Sequence, residues 1–235
     1  MAPADAGGAA ADPLAVEALA DPDAAAARGA ALIADAARAA VAAHGSFALA
    51  ISGGHSPWPM FARLAGDPEM PWESTDVFQV DERVAPDGDR DRNWTQATAT
   101  LPLDRIRATH PMPVTADDLE AAAAAYAESV PERIDLVHLG LGPDGHTASL
   151  VPGNPVLSVD DRRVALTAGE YQGRRRMTLT YPALAAAARI VWYVVGAKAA
   201  AALARLRAGD ESIPAGRVER SRAVVITDRE AAGEG

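Results

Sequence analysis

The sequence predicts an α/β protein built on one mostly parallel sheet, with helices on both faces and a single domain. Apolar runs of strand length alternate with helical stretches along the chain, which is the pattern of a doubly covered parallel sheet. Glycine-rich turns follow several of the apolar runs directly, and no Pro/Ser-rich linker divides the 235 residues. A chain of this length buries a sizeable core as one unit.

The first stretch, over 1–12, is expected to be a flexible tail, with the domain spanning 13–235. It lacks the basic start of a signal peptide and carries acids where such a peptide is apolar. The Ala-rich stretch from Pro22 to Ala43 sets Leu32, Ile33, Ala36 and Val41 at helical spacing, and His44-Gly45 supplies a glycine stop. Phe47 to Ile51 is a short apolar strand that runs into Ser52-Gly53-Gly54-His55-Ser56-Pro57. Pro57 suits the first turn of a helix ending at Gly66. Strand, glycine turn and helix together present backbone N–H groups at the positive end of a helix, a ready anion site. No Gly-Lys-Ser/Thr follows, so it is not a Walker loop.

Val77 to Val80 forms the next apolar run and ends in Asp81-Glu82-Arg83, after which a charged loop leads to Asn93. Such charges suit a solvated loop, but ligands of open α/β sheets also bind beyond the carboxyl ends of strands. Asp117 to Val130 reads as a helix with acids in its first turn. Ile134 to Leu139 is a buried-looking strand that empties into the loop GLGPDGHTASLVPG, Gly140 to Gly153. Further strands are expected at Val164 to Thr167, from Met177, at Arg189 to Val195 and at Ala223 to Thr227. Arg174-Arg175-Arg176 precedes the second of these, and Lys198 follows the third, ahead of another helix.

Composition narrows the function. The chain is 49% hydrophobic and 23% charged, ordinary for a globular protein. A net charge of -10 argues against a broad nucleic-acid or anionic-membrane surface, yet allows a local basic pocket. Cysteine is absent, which excludes disulfides, thiolate nucleophiles and Cys-ligated metals and fits a cytoplasmic setting. No run approaches the roughly 20 apolar residues that span a bilayer.

His146 carries the one side-chain type whose unperturbed pKa, roughly 6.5, allows proton transfer near neutrality. With nearby acids it suits chemistry on a carbonyl or hydroxyl. Gly53, Gly54 and Ser56, joined by Arg176 and Lys198, suit a phosphate, since cations add charge-assisted bonds to the backbone amides. A phosphorylated small metabolite satisfies both. Gly140-x-Gly142-x-x-Gly145 also matches the dinucleotide fingerprint, with Asp160 and Asp161 downstream. Asp144 would set a carboxylate where pyrophosphate must sit, and Pro152 and Pro155 leave too little room for the helix, so that reading is set aside. His44, His110 and His138 receive no role.

SGGHSP, VDERVAP with Asn93 beyond it, LGLGPDGHTASLVPG, RMTLTYPAL and VGAKA stand in that order from Phe47 to the last strand. Together they resemble the 6-phosphogluconolactonase family, DGHTASL being the most specific element. Glucosamine-6-phosphate deaminases share the superfamily, and Arg83 with Thr147-Ala148-Ser149 favours the lactonase branch. His55 and Ser56 depart from the family's glycine turn, and Arg92 stands where Ser is common. The resemblance implies a modified Rossmann-like fold and hydrolysis of 6-phospho-D-glucono-1,5-lactone in the pentose phosphate pathway, with no cofactor and no metal. His146 is then the base, oriented by Asp144 or Asp81. Arg83 approaches the lactone or product carboxylate, Asn93 faces substrate, and Gly53, Gly54, Ser56, Arg176 and Lys198 hold the phosphate. The expected partner is the sugar-phosphate lactone, with no nucleic acid or membrane, for a monomer or weak oligomer. A deaminase or isomerase on the same fold, or a non-catalytic sugar-phosphate sensor, remains the alternative.

Overall fold

The computed structural model describes residues 14–234; the tail expected over 1–12 lies outside the described residues. β1 (Ala15–Leu19) leads to α1 (Pro22–His44), whose first turn Asp21 caps by accepting the Ala24 N–H at 2.8 Å. Gly45 ends α1 at φ +84°, a left-handed conformation that costs glycine nothing. β2 (Phe47–Ile51), α2 (Trp58–Ala65) and β3 (Thr75–Gln79) follow, then β4 (Asp81–Arg83) and α3 (Asn93–Thr100). The middle of the chain is β5 (Ala108–His110), α4 (Leu119–Ser129), β6 (Leu136–Leu139), β7 (Val164–Leu166) and β8 (Arg176–Leu179). It closes with α5 (Tyr181–Ala185), β9 (Ile190–Val194), α6 (Ala200–Arg207), β10 (Ala223–Asp228) and α7 (Arg229–Ala232).

Seven strands form one sheet in the order β1-β10-β9-β6-β2-β3-β5, and every pairing in it is parallel. Strands buried on both faces read as unbroken apolar runs, which is why β2, β6, β9 and β10 stand out in the sequence. Phe47, Leu49, Phe61, Ile33 and Trp72 fill one face beneath α1 and α2. Val137, Leu139, Trp192, Tyr126 and Leu184 fill the other. The chain order reverses between β6 and β2, so the connections from these neighbours leave in opposite directions.

A second, antiparallel sheet of order β4-β8-β7 was not expected. Asp81-Glu82-Arg83, expected in a solvated loop, is its strand β4. The chain changes sheets at Val80, whose N–H donates to Ile51 of the large sheet while its carbonyl accepts the Leu179 N–H of the small one. Arg176, expected just before a strand, is instead the first residue of β8, opposite Arg83.

Glu82 explains why charged residues enter a strand. It is wholly buried and accepts the backbone N–H groups of Arg83, Asn93 and Trp94 at 2.7–2.8 Å and the Gln79 amide at 2.9 Å. Arg92 lies 3.5 Å away. Two of the accepted N–H groups belong to the first turn of α3, so a carboxylate on β4 caps a helix eleven residues later. Buried charge is stable only when compensated in this way. Glu82→Gln turns one acceptor into an amide facing N–H donors; it should cost about 3 kcal/mol in urea unfolding, with α3 exchanging its amides fastest.

Candidate active site

At the reversal between β2 and β6 two glycine loops part at the carboxyl ends of the strands, where open α/β sheets bind ligands. The cleft between them measures about 870 Å³. Ser52 to Ser56 line one side, Gly140 to Pro143 and His146 another, and Asp81, Arg83, Asn93, Arg176 and Lys198 complete it.

The loop after β6 is tied to itself: Gly142 donates to the His146 carbonyl, Gly145 to that of Gly142, and the Thr147 hydroxyl to that of Gly140. The imidazole lies directly on Gly142, where a Cβ would stand 2.0 Å from Nδ1. Glycine is required there by contact, not by φ. Asp144 Oδ1 lies 2.5 Å from His146 Nδ1 and also accepts the His146 N–H. Burial pushes the Asp144 carboxyl up, but the hydrogen bonds and charge of His146, with the Tyr171 hydroxyl, hold it below its ordinary value. An ionised carboxylate only accepts, so Nδ1 carries the hydrogen that faces it, and in the neutral tautomer this fixes, the lone pair lies on Nε2.

Of the two acids left open by the sequence, Asp144 therefore stands on the imidazole. Asp81 does not: held on β4, it accepts from Ser149 Oγ at 2.6 Å and Asn93 Nδ2 at 3.3 Å and lies 4.0 Å from Arg176. Asn93 packs on Gly53, where a Cβ would come within 1.9 Å of Oδ1, and donates to the Asp81 carbonyl. Gly54 adopts φ +108°, and its carbonyl accepts the Trp58 indole at 2.5 Å. His55 and Ser56 are exposed at the rim. Arg92 turns away from the cleft into the fold, where it pairs with Glu82 and Asp87.

Three cations line the cleft of this acidic chain. Lys198, the only lysine of the sequence, follows Gly196 (φ +85°) beyond β9. Arg83 donates to the Asp91 carbonyl at 2.6 Å. Arg176 is buried; burial draws its pKa down, the nearby Asp81 carboxylate opposes this, and the guanidinium remains charged. Ser52 Oγ, Asn93 Oδ1, His138 Nε2, Arg83 Nε and Arg176 Nε are buried on cleft residues without a hydrogen-bond partner inside the protein. Unpaired buried polar atoms are rare in folded proteins, and this many on the residues that line one cleft suit a polar ligand. Tyr171, which the sequence reading passed over, also reaches the dyad, its hydroxyl 3.0 Å from Asp144 Oδ2. Its only signal is a Gln-Gly turn between strands. Among the described residues no cluster of three or more His, Asp or Glu side chains is placed to hold a metal ion, and no helix is long and apolar enough to cross a membrane.

A His–Asp pair opening on a cationic cleft at a parallel-sheet reversal is an arrangement suited to proton transfer on a small anion. The comparisons narrow this. A profile described as glucosamine-6-phosphate isomerases/6-phosphogluconolactonase matches residues 20–227. A 6-phosphogluconolactonase of Streptomyces coelicolor is 37% identical over 222 residues, 83% of this chain and 84% of that one. One from Synechocystis is 36% identical over 181 residues, covering 71% and 74%. The chain belongs to the glucosamine-6-phosphate isomerase/6-phosphogluconolactonase family. Its fold superposes on a crystal structure of a 6-phosphogluconolactonase from Shewanella baltica with a TM-score of 0.83 at 23% identity, covering 92% and 98% of the two chains. A monomeric glucosamine-6-phosphate deaminase superposes with a TM-score of 0.80 at 19% identity, so the fold alone does not separate the two chemistries.

His138 lies on β6 beneath the cleft, its Nδ1 accepting the Ser52 N–H at 3.3 Å and its ring edge-on to Phe61. Burial pushes its pKa down to about 3. The native protein keeps it neutral, whereas the unfolded chain binds a proton below roughly 6.5. Between those values the unfolded state holds more protons, so this group's effect is to lower stability as pH falls through the window. In urea melts between pH 6 and pH 3.5, wild type should lose about 1.4 kcal/mol per pH unit more than His138→Leu.

Proposed function

We propose that the chain hydrolyses 6-phospho-D-glucono-1,5-lactone to 6-phosphogluconate, the lactone-opening step of the pentose phosphate pathway, with His146 as general base. The observation that carries this reading is that the His146–Asp144 pair shares one cleft with Arg83, Arg176 and Lys198. The identity to 6-phosphogluconolactonases over most of the chain supports it.

A lactone is an activated ester, so hydrolysis needs a held water, a base and charge stabilisation more than an added electrophile. Nε2 of His146 takes a proton from water as the water oxygen attacks C1. Asp144 steadies the imidazolium that forms, the role a buried carboxylate plays in serine hydrolases. Arg83 meets the charge that gathers on the carbonyl oxygen. When the bond from C1 to the ring oxygen breaks, the imidazolium returns its proton to that oxygen. The new carboxylic acid ionises and releases one proton. Gly53, Gly54 and Ser56, with Arg176 and Lys198, hold the 6-phosphate, and Asn93 Oδ1 accepts from a sugar hydroxyl.

Proton release from freshly made 6-phosphogluconolactone, with and without protein, is the direct assay. Ammonia release from glucosamine 6-phosphate would favour the deaminase chemistry instead. His146→Ala should lower kcat by about 10²–10⁴; a kcat near wild type would remove His146 as the base. Lys198→Ala and Arg176→Ala should each raise KM for the phosphorylated lactone by about tenfold while leaving that for unphosphorylated gluconolactone nearly unchanged. Equal effects on the two lactones would sink the phosphate assignment.

A further inference from the structure

Tyr171 takes no part in the reaction as written, yet it touches two residues that do. Its hydroxyl lies 3.0 Å from Asp144 Oδ2 and 3.3 Å from His146 Nδ1. Nδ1 already donates to Asp144 Oδ1, so it offers the phenol no lone pair, and the phenolic proton goes to Oδ2. The carboxylate is thereby held at both oxygens, Oδ1 on the imidazole and Oδ2 on the phenol. Without the phenol, rotation about the Asp144 Cβ–Cγ bond is opposed only through Oδ1, by the imidazole and the longer 3.2 Å bond from the His146 N–H, at a side chain about a third exposed. We propose that Tyr171 is a positioning residue for the proton-transfer pair, acting through Asp144 to keep His146 Nε2 aimed at the attacking water. Its kinetic consequence rests on the hydrolytic reading; its structural content does not.

Other contacts fix the phenol in place. The ring meets the imidazole edge-on at 5.2 Å, and the Arg176 guanidinium lies 5.0 Å from its centroid, within cation–π range. Tyr171 and Arg174 pair across a two-residue turn, with Gln172 at φ +54° and Gly173 at φ +76°. This is the tight hairpin turn that favours Asn-Gly, and a glutamine at its first position is strained. Arg176 Nη2 holds it there, donating to both the Tyr171 carbonyl and Gln172 Oε1 at 3.3 Å. One buried cation thus anchors the hairpin tip that carries the phenol. Burial and the neighbouring Asp144 carboxylate both push the Tyr171 pKa up, which keeps the phenol a donor.

Tyr171→Phe removes the hydroxyl and keeps the ring and the turn. We expect kcat to fall about tenfold, with KM for the phosphorylated lactone within about twofold and an unchanged thermal midpoint. In proton NMR the short Nδ1–H···Oδ1 bond should give a downfield resonance that His146→Ala abolishes. Tyr171→Phe should shift it upfield or broaden it through faster exchange. In an Asp144→Asn background the same change should alter kcat no further. Wild-type kcat in Tyr171→Phe, a loss of kcat with the resonance unmoved, or no such resonance in the wild type would each overturn the inference. Should the wild type release no acid from the lactone, the hydrolytic reading fails and the resonance alone decides the role of Tyr171.

Discussion

Glu82 sets a carboxylate at zero exposure and surrounds it with three backbone N–H groups, the Gln79 amide and the Arg92 guanidinium. Because two of those N–H groups open α3, the strand β4 and the helix that follows it are held as one piece. Asn93 is thereby pressed onto Gly53, and Asp81 and Arg83, on either side of Glu82, are carried to the cleft. Remove the carboxylate and a short polar helix, NWTQATAT, has little of its own to keep it docked. One wall of the cleft therefore depends on a charge that itself stays out of it.

The opposite wall is built by close backbone contact and local strain. Gly142 allows the imidazole to rest on the chain, and Gly145 takes φ +85° against Ile213. Among the described residues two non-glycine residues take positive φ, Ala148 and Gln172, and both lie beside the proton-transfer pair. Each conformation costs on the order of 1–3 kcal/mol and persists only where its surroundings leave no alternative. Packed layers on both faces of the parallel sheet supply that rigidity.

The electrostatics follow the same division. The surface as a whole is acidic, but the three cleft cations are spaced around one small volume, so an anionic ligand meets a local field unlike the global one. Asp81, lining the same cleft 4.0 Å from Arg176, moderates that field, and Asp144 is committed to His146. The two acids that looked interchangeable by residue type are separated by their places in the fold, Asp81 on β4 of the small sheet and Asp144 in the loop that follows β6 of the large one.

Strands β2, β3, β6, β7, β8, β9 and β10 and helices α1, α2, α4 and α6 were legible because burial repeats locally, as apolar runs, alternation or helical spacing. β1 and β5 were not, since edge strands need no apolar run, and α3 was hidden because its cap comes from another element. The small sheet stayed unseen because its partners, β4 and β8, are far apart in the chain. By itself the sequence determined the alternation of strand and helix and the inventory of chemistry: a histidine beside an acid in a glycine loop, and cations elsewhere. Those are local properties of spacing and residue type. Only the tertiary structure decided that Asp144 and not Asp81 meets the imidazole, that Arg92 faces inward, and that Tyr171 closes on a carboxylate 27 residues away. Such meetings are set by sheet register and by which side chains a buried charge must gather, and no periodicity in the chain records them.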